Sequence, residues 1–295
     1  MNHENKRRAA WAVNGIFSFL LSFFLYLAIL CLVFSQTILQ EGFARQILAE
    51  SRYVSLLAGE IRDEFIAYGG VGGFEEAFWE EKFSQIVSEE MLEADAARQL
   101  HSLYTGTSLE TNEELVHSSL YTAFLEEAVR RGTAVDADKE NDLQSLAETC
   151  AEVYGEAVRI PYADRIGGLL VKAKTPLYAG LAVLACLSVL CAAIITWLNR
   201  KSGRCLYWLY GGLAGAALLS AVVPLGILFS RKIGKIGIFS QAMYAFSTLL
   251  LTRTLYAFLL AAGILLLLAI VLLAVQGIRR AGKRPPLETE NVPKG

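Results

Sequence analysis

The sequence predicts an all-α protein: a four-helix transmembrane region with an extracytoplasmic helical-bundle domain inserted between spans one and two. Three observations predict it. Residues 9–40, 176–199, 205–230 and 254–278 contain no charged side chain, and each run exceeds the ~20 residues an α-helix needs to cross the hydrocarbon core. Hydrophobic residues make up 54% of the chain and mean hydropathy is +0.42, above the ~45–50% apolar content of soluble domains. Charge is segregated. Residues 36–175 carry 26 acidic and 12 basic side chains, a net −14, and the rest of the chain carries three acidic and 15 basic, a net +12. Such asymmetry bears on membrane sides and partners rather than on fold.

The spanning helices are expected at about 12–34, 177–198, 206–229 and 255–276. Lys6, Arg7 and Arg8 precede the first; Arg200, Lys201 and Arg204 link the second to the third; Arg279, Arg280, Lys283 and Arg284 follow the fourth. All three clusters fall on one side, which the positive-inside rule makes cytoplasmic. Both termini are then cytoplasmic and residues 36–175 lie outside. Arg231, Lys232, Lys235 and Arg253 flank the loop placed outside and run against the rule. The expected divisions are 1–35 (basic tail and first span), 36–175 (acidic helical domain), 176–278 (three spans with a short cytoplasmic link and an outer amphipathic loop) and 279–295 (cytoplasmic tail). The first apolar run is longer than the 7–15 residues of a signal-peptide core, so it is read as an uncleaved anchor.

Cys31, Cys186 and Cys191 lie in spans, Cys205 at the end of one, and Cys150 alone in the insert. The insert therefore folds without an internal disulfide. Cys150 reads as a buried small hydrophobe, with an intermolecular disulfide as the alternative for an unpaired exported thiol.

Within the insert the apolar residues follow helical spacing. Leu39, Phe43 and Ile47 mark one helix. Val54, Leu57, Ile61 and Phe65 mark a second, with Ser51 as its cap and Gly69 and Gly70 as its stop. Phe74, Phe78, Phe83 and Val87 line a third face. Ser88 starts a helix carrying Met91, Leu92, Ala96, Leu100 and Leu103 up to Gly106. Thr111 and Glu114 form a capping box before Leu115, Leu120, Phe124 and Leu125, with Gly132 as the stop. A polar loop over 133–141 precedes Leu143, Leu146, Cys150 and Tyr154, and Pro161 ends that helix. Five or six helices are expected, and about 140 residues suffice for one core. Pro176 is placed at the start of the second span.

In the first span Asn14, Ser18 and Ser22 share a helix face and suit a contact seam, or bond their own backbone. In the third span Gly212, Ala216, Ser220 and Pro224 form a stripe beside a Gly211–Gly215 pair. Small residues at this spacing let helices approach closely. Gly211, Gly212, Gly215, Ala216 and Ser220 are therefore the candidate membrane-packing residues. Phe239, Met243, Phe246 and Leu250 lie on one face within 236–251, which suits a surface-lying amphipathic helix or a packed loop helix.

Chemistry-bearing patterns are sparse. Asp136, Asp138, Glu140 and Asp142 imitate a calcium loop, but Asn141 stands where glycine is needed and Ala147 where glutamate is needed. Glu114 and His117 have the spacing of a di-iron motif without its second copy. There is no HExxH, GxSxG, Walker A or dinucleotide fingerprint, and the spans hold no ionisable residue of the kind that marks proton or ion paths. No metal, cofactor or catalytic site is expected. An acidic insert disfavours nucleic acid. The expected partners are the lipid bilayer and an envelope protein or a second copy of the chain.

The layout of one span, a helical domain and three closely spaced spans resembles uncharacterised four-span membrane proteins of Gram-positive bacteria. The local likeness is Ser51-Arg52-Tyr53 after the first span and Ile160-Pro161-Tyr162 before the second. A looser, topological likeness is to permeases of the FtsX and MacB type, which work with a cytoplasmic ATPase. The expectation from the residues is a non-enzymatic multi-pass plasma-membrane protein whose ectodomain binds a partner or senses at the envelope. The alternative is a membrane subunit of an ABC-type transport or mechanotransmission complex.

Overall fold

The computed structural model describes residues 3–107, 111–161, 163–200, 205–230 and 240–281. Among the described residues the regular structure is entirely helical. The helices are α1 (His3–Gln36), α2 (Glu41–Glu50), α3 (Tyr53–Val71), α4 (Glu76–Ile86), α5 (Glu89–Thr105), α6 (Glu113–Arg130), α7 (Ala137–Val158), α8 (Ala163–Leu198), α9 (Cys205–Phe229) and α10 (Gln241–Ala281). Four stretches are long and apolar enough to cross a membrane: Trp11–Gln36, Arg165–Leu198, Cys205–Phe229 and Gln241–Ile278. The chain is thus an all-α membrane protein. Lys201, Arg204, Arg231, Lys232, Lys235, Phe239, Tyr162 and the tail from residue 282 lie outside the described residues, as do the side chains of Lys6, Arg7, Arg8, Arg279 and Arg280.

The chain forms two compact units. One comprises Met1–Val33, Tyr178–Phe229 and Leu255–Gly295; the other comprises Phe34–Leu177 and Ser230–Thr254. The second unit is the predicted helical domain with an addition. Residues 240–254 belong to it, so of the two readings of 236–251 its described part is the packed helix rather than the surface-lying one. α10 has 41 residues, about 60 Å at 1.5 Å per residue, twice the ~30 Å hydrocarbon core. Its first turns are thus free to serve the domain.

The domain core is drawn from every helix of the insert. Leu57, Ile61 and Phe65 of α3, Phe78, Trp79 and Phe83 of α4, and Leu92, Ala96 and Leu100 of α5 bury their side chains. So do Val116, Leu120 and Phe124 of α6, Cys150 and Tyr154 of α7, and Ala242 of α10. Burying one such large apolar side chain stabilises by roughly 1.5–3 kcal/mol. Its centre is aromatic: the Trp79 ring lies 5.1 Å from Phe78, 5.4 Å from Phe65 and 5.8 Å from Phe124, centroid to centroid. Trp79 escaped the periodicity because it sits next to Phe78 rather than a turn away.

Several predicted boundaries shift, some because a distant partner overrides a local signal and others because a different local cap is used. α3 runs through Gly69 and Gly70 to Val71. Gly69 is not a stop but a contact, since a Cβ there would lie 2.4 Å from Cζ2 of Trp79. Ser51 closes α2, donating from Oγ to the Leu48 carbonyl, and Arg52 precedes α3 in the left-handed region at φ 56°. Thr111 and Glu114 form no capping box. Asn112 is the N-cap of α6, and its N–H and Nδ2 donate to Asp95 of α5 at 3.2 and 3.0 Å. Leu115 is exposed rather than core. α7 starts at Ala137 inside the predicted loop, because Asp136 accepts from the Lys139 N–H at 3.0 Å. Pro176 lies within α8, which starts at Ala163. By contrast, Ser88 accepts from the Met91 N–H at 3.2 Å, and Gly106 and Gly132 take positive φ after α5 and α6.

Burial also sets the alkaline limit of the domain. Burial raises Tyr53 and Tyr104 to about 12, helped by the charges of Glu60 and Glu41 respectively. Burial raises Cys150 to about 12 as well, and burial and then the Asp95 hydrogen bond raise Tyr154. These folded-state values exceed the ordinary 10.0 and 9.0. Their stabilisation is complete below about pH 9 and is lost as pH rises toward 12. In an alkaline titration these phenolates should appear only as helicity is lost. Ionisation of every tyrosine near pH 10 with helicity intact would contradict the burial.

Candidate functional site

The predicted membrane-packing residues come together with the seam of the first span. Within the first unit, Ser18 Oγ donates to the Trp208 carbonyl at 2.8 Å, and Asn199 Nδ2 donates to Asn14 Oδ1 at 2.7 Å. Trp11 meets Trp208 edge-on at 5.2 Å. Leu21 of α1 packs with Cys191 and Ile195 of α8 in a small buried cluster. At Gly212 α9 lies close against α1: a Cβ there would meet Leu21 Cδ2 at 2.8 Å and the Ser18 carbonyl at 3.2 Å. At Gly215 a Cβ would meet Ser22 Oγ at 2.6 Å, and at Gly211 Ser18 Oγ at 3.3 Å. Ala216 and Ser220 continue the stripe and are fully buried. The contact is within one chain.

Gly226, on the same helix, would meet nothing within 4 Å. Gly212→Val is therefore expected to destabilise the span assembly by about 1–3 kcal/mol through overpacking, whereas Gly226→Val leaves it unchanged. Thermal unfolding in detergent compares the two; equal midpoints would contradict the seam.

The domain carries a polar cleft of about 540 Å³ between α6 and α7. Thr111, Glu113, Glu114 and His117 line one side, and Gln144, Glu148, Ala151, Glu152 and Arg159 the other. Helical spacing explains the grouping: 113, 114 and 117 share the first turns of α6, while 144, 148, 151 and 152 are successive turns of one face of α7. Gly155 leaves room for the Glu113 carboxylate, whose Oε2 lies 2.4 Å from where a Cβ would stand. Glu114 and His117 thus face a groove of glutamates rather than a metal shell, and His101 instead sits 3.0 Å from Glu41. Among the described residues no group of three His, Cys, Asp or Glu is arranged to hold a metal ion. The acidic run 136–142 is the cap and first turns of α7, where negative side chains favour the helix N-terminus. It is not a loop that could wrap a cation.

Cys150 is buried, which removes the intermolecular disulfide as a reading of the folded state. A second groove, of about 270 Å³, lies beside the α6 C-terminus. Its floor is built by Glu127, which accepts from Arg131 at 2.6 Å. Arg131 in turn donates to the Gly73 carbonyl at 2.8 Å and lies over the Phe74 ring.

Sequence reasoning missed Asp95, a carboxylate buried in the helical domain. It is 1% exposed. Arg98 donates to it at very short range, Tyr154 donates at 2.6 Å, and Asn112 donates twice. The available signal was its register, because 92, 95, 99 and 103 lie on the buried face of α5. Comparison with known proteins found no matching family model, no matching curated protein and no matching solved structure.

Proposed function

We propose that this is a multi-pass plasma-membrane protein of a bacterium, with both termini in the cytoplasm and residues 36–175 outside. In this reading the helical domain is a binding module for a cationic segment of an envelope partner. The observation that carries it is the cleft, in which Glu113, Glu114, Glu148 and Glu152 surround a groove with Arg159 as its lining cation, in an insert of net charge −14. Complementary charge steers encounter and fixes register more than it sets affinity. The orientation is supported by the basic flanks of the spans. Arg253, which runs against the rule, has a local explanation in its 2.8 Å pair with Glu50.

A photo-crosslinking residue at Gln144, in intact cells, tests the reading. Capture of an envelope protein that is lost in Glu148→Lys/Glu152→Lys supports it. Absence of capture above that of a probe at Ser119, which lies off the cleft, contradicts it. Co-purification of a cytoplasmic ATPase would favour the transport-complex alternative.

A further inference from the structure

The segment 240–254, the cap and first turns of α10, is fastened to the domain at both ends. At its start, Glu60 of α3 receives three donors: Ser240 Oγ at 2.9 Å, the Ala242 N–H at 3.0 Å and the Gln241 N–H at very short range. Ser240 Oγ in turn accepts from the Met243 N–H at 3.1 Å. Two orphan donors of the first turn of α10 are thus satisfied by a side chain from another helix, and a third by the local cap. At its far end Arg253 pairs with Glu50 of α2 at 2.8 Å. Between them Ala242 is fully buried, Phe246 meets Tyr53 edge-on at 6.1 Å, and Met243 packs against the domain core.

We infer that residues 240–254 form a strap that docks on the helical domain and releases from it as one unit, with Glu60 as its clasp. The polar contacts are at the ends and the apolar contacts in the middle, so opening either end exposes Met243 and Phe246 together. Packed apolar surfaces favour all-or-none separation over gradual sliding. The strap runs without interruption into the residues of the fourth span, because α10 is one helix from Gln241 to Ala281. Whatever loosens the clasp therefore acts at the start of that helix. Glu60 is a positioning residue in this scheme, and the inference does not depend on which partner the cleft binds.

Hydrogen exchange on the full chain in detergent micelles tests it. Glu60→Ala is expected to speed exchange about five- to tenfold, the effect of losing a helix cap that includes a charged acceptor. The gain should be equal over 244–253, with α6 and α7 unchanged. Glu50→Ala should give the same profile with a smaller factor, since that pair is half exposed and weaker. A gain confined to the first turn of α10 would overturn the inference, as fraying rather than release. A gain spread over α6 and α7 would overturn it too, by making Glu60 a support of the whole domain. Unchanged exchange at 244–253 would show that no clasp exists.

Discussion

Asp95→Ala is expected to lower the stability of the helical domain by about 3–5 kcal/mol, the cost of breaking a buried charged network by removing one member. The carboxylate is almost completely buried, and its donors come from α5, α6 and α7. Without it the Tyr154 hydroxyl stays buried with no acceptor, costing ~1–3 kcal/mol, and the half-buried Asn112 loses both of its bonds to Asp95. Arg98 suffers less, because its side chain is 44% exposed and can turn to water. Asp95→Asn should fall between, since the amide keeps one acceptor oxygen but opposes a donor to a donor. Tyr154→Phe removes one bond only and should cost ~1–2 kcal/mol. Because these groups share one network, Asp95→Ala and Tyr154→Phe should combine to less than their sum. Pulse proteolysis of the full chain in denaturant measures all four variants. A cost below about 1 kcal/mol for Asp95→Ala would contradict a buried, fully engaged carboxylate.

Trp79→Ala is expected to cost about 3–5 kcal/mol, the range for emptying an aromatic site in a packed core. The indole is fully buried against Phe65, Phe78 and Phe124. Two companion variants separate shape from chemistry. Among the described residues the Trp79 Nε1 has no hydrogen-bond partner, so Trp79→Phe gives up volume but no hydrogen bond and should cost far less. Gly69→Ala drives a methyl into the indole at Cζ2, Cε2 and Nε1 and should cost ~1–3 kcal/mol by overpacking. Phe is smaller than the indole, so Trp79→Phe should rescue Gly69→Ala. Additive losses in the double variant would mean that the two residues do not meet.

Where the sequence was legible, the signal was local and repeated. The four apolar runs needed only length and absence of charge. Ser88, Gly106 and Gly132 were readable because each end is decided by one side chain or one backbone angle. Leu57, Ile61, Phe65, Leu92, Leu100, Leu120 and Phe124 were legible as core because a 3.6-residue period records which face is covered. What escaped was set by a partner distant in sequence. Gly69 looked like a terminator, but its reason for being glycine is Trp79. Thr111 and Glu114 had the right spacing for a capping box, but Asp95 from another helix had already taken the Asn112 donors. Met243 and Phe246 were placed on one helical face, yet periodicity cannot say whether lipid or protein covers it; Glu60, about 180 residues earlier, decides that. The seam of Gly211, Gly212 and Gly215 was readable as small residues, while its mate on α1 was carried by hydroxyls whose alternative was to bond their own helix. The cleft was not legible, because it needs α6 and α7 side by side.

The measurement that tests the account most directly is the side of the membrane on which the domain lies. Cys150 is buried and cannot serve as the reporter. The exposed Glu93 can, as Glu93→Cys in a chain whose five native cysteines are replaced. A membrane-impermeant maleimide applied to intact cells is expected to label it as fully as after permeabilisation. Labelling that requires permeabilisation would put the domain in the cytoplasm and contradict the proposal that it is an envelope-binding module.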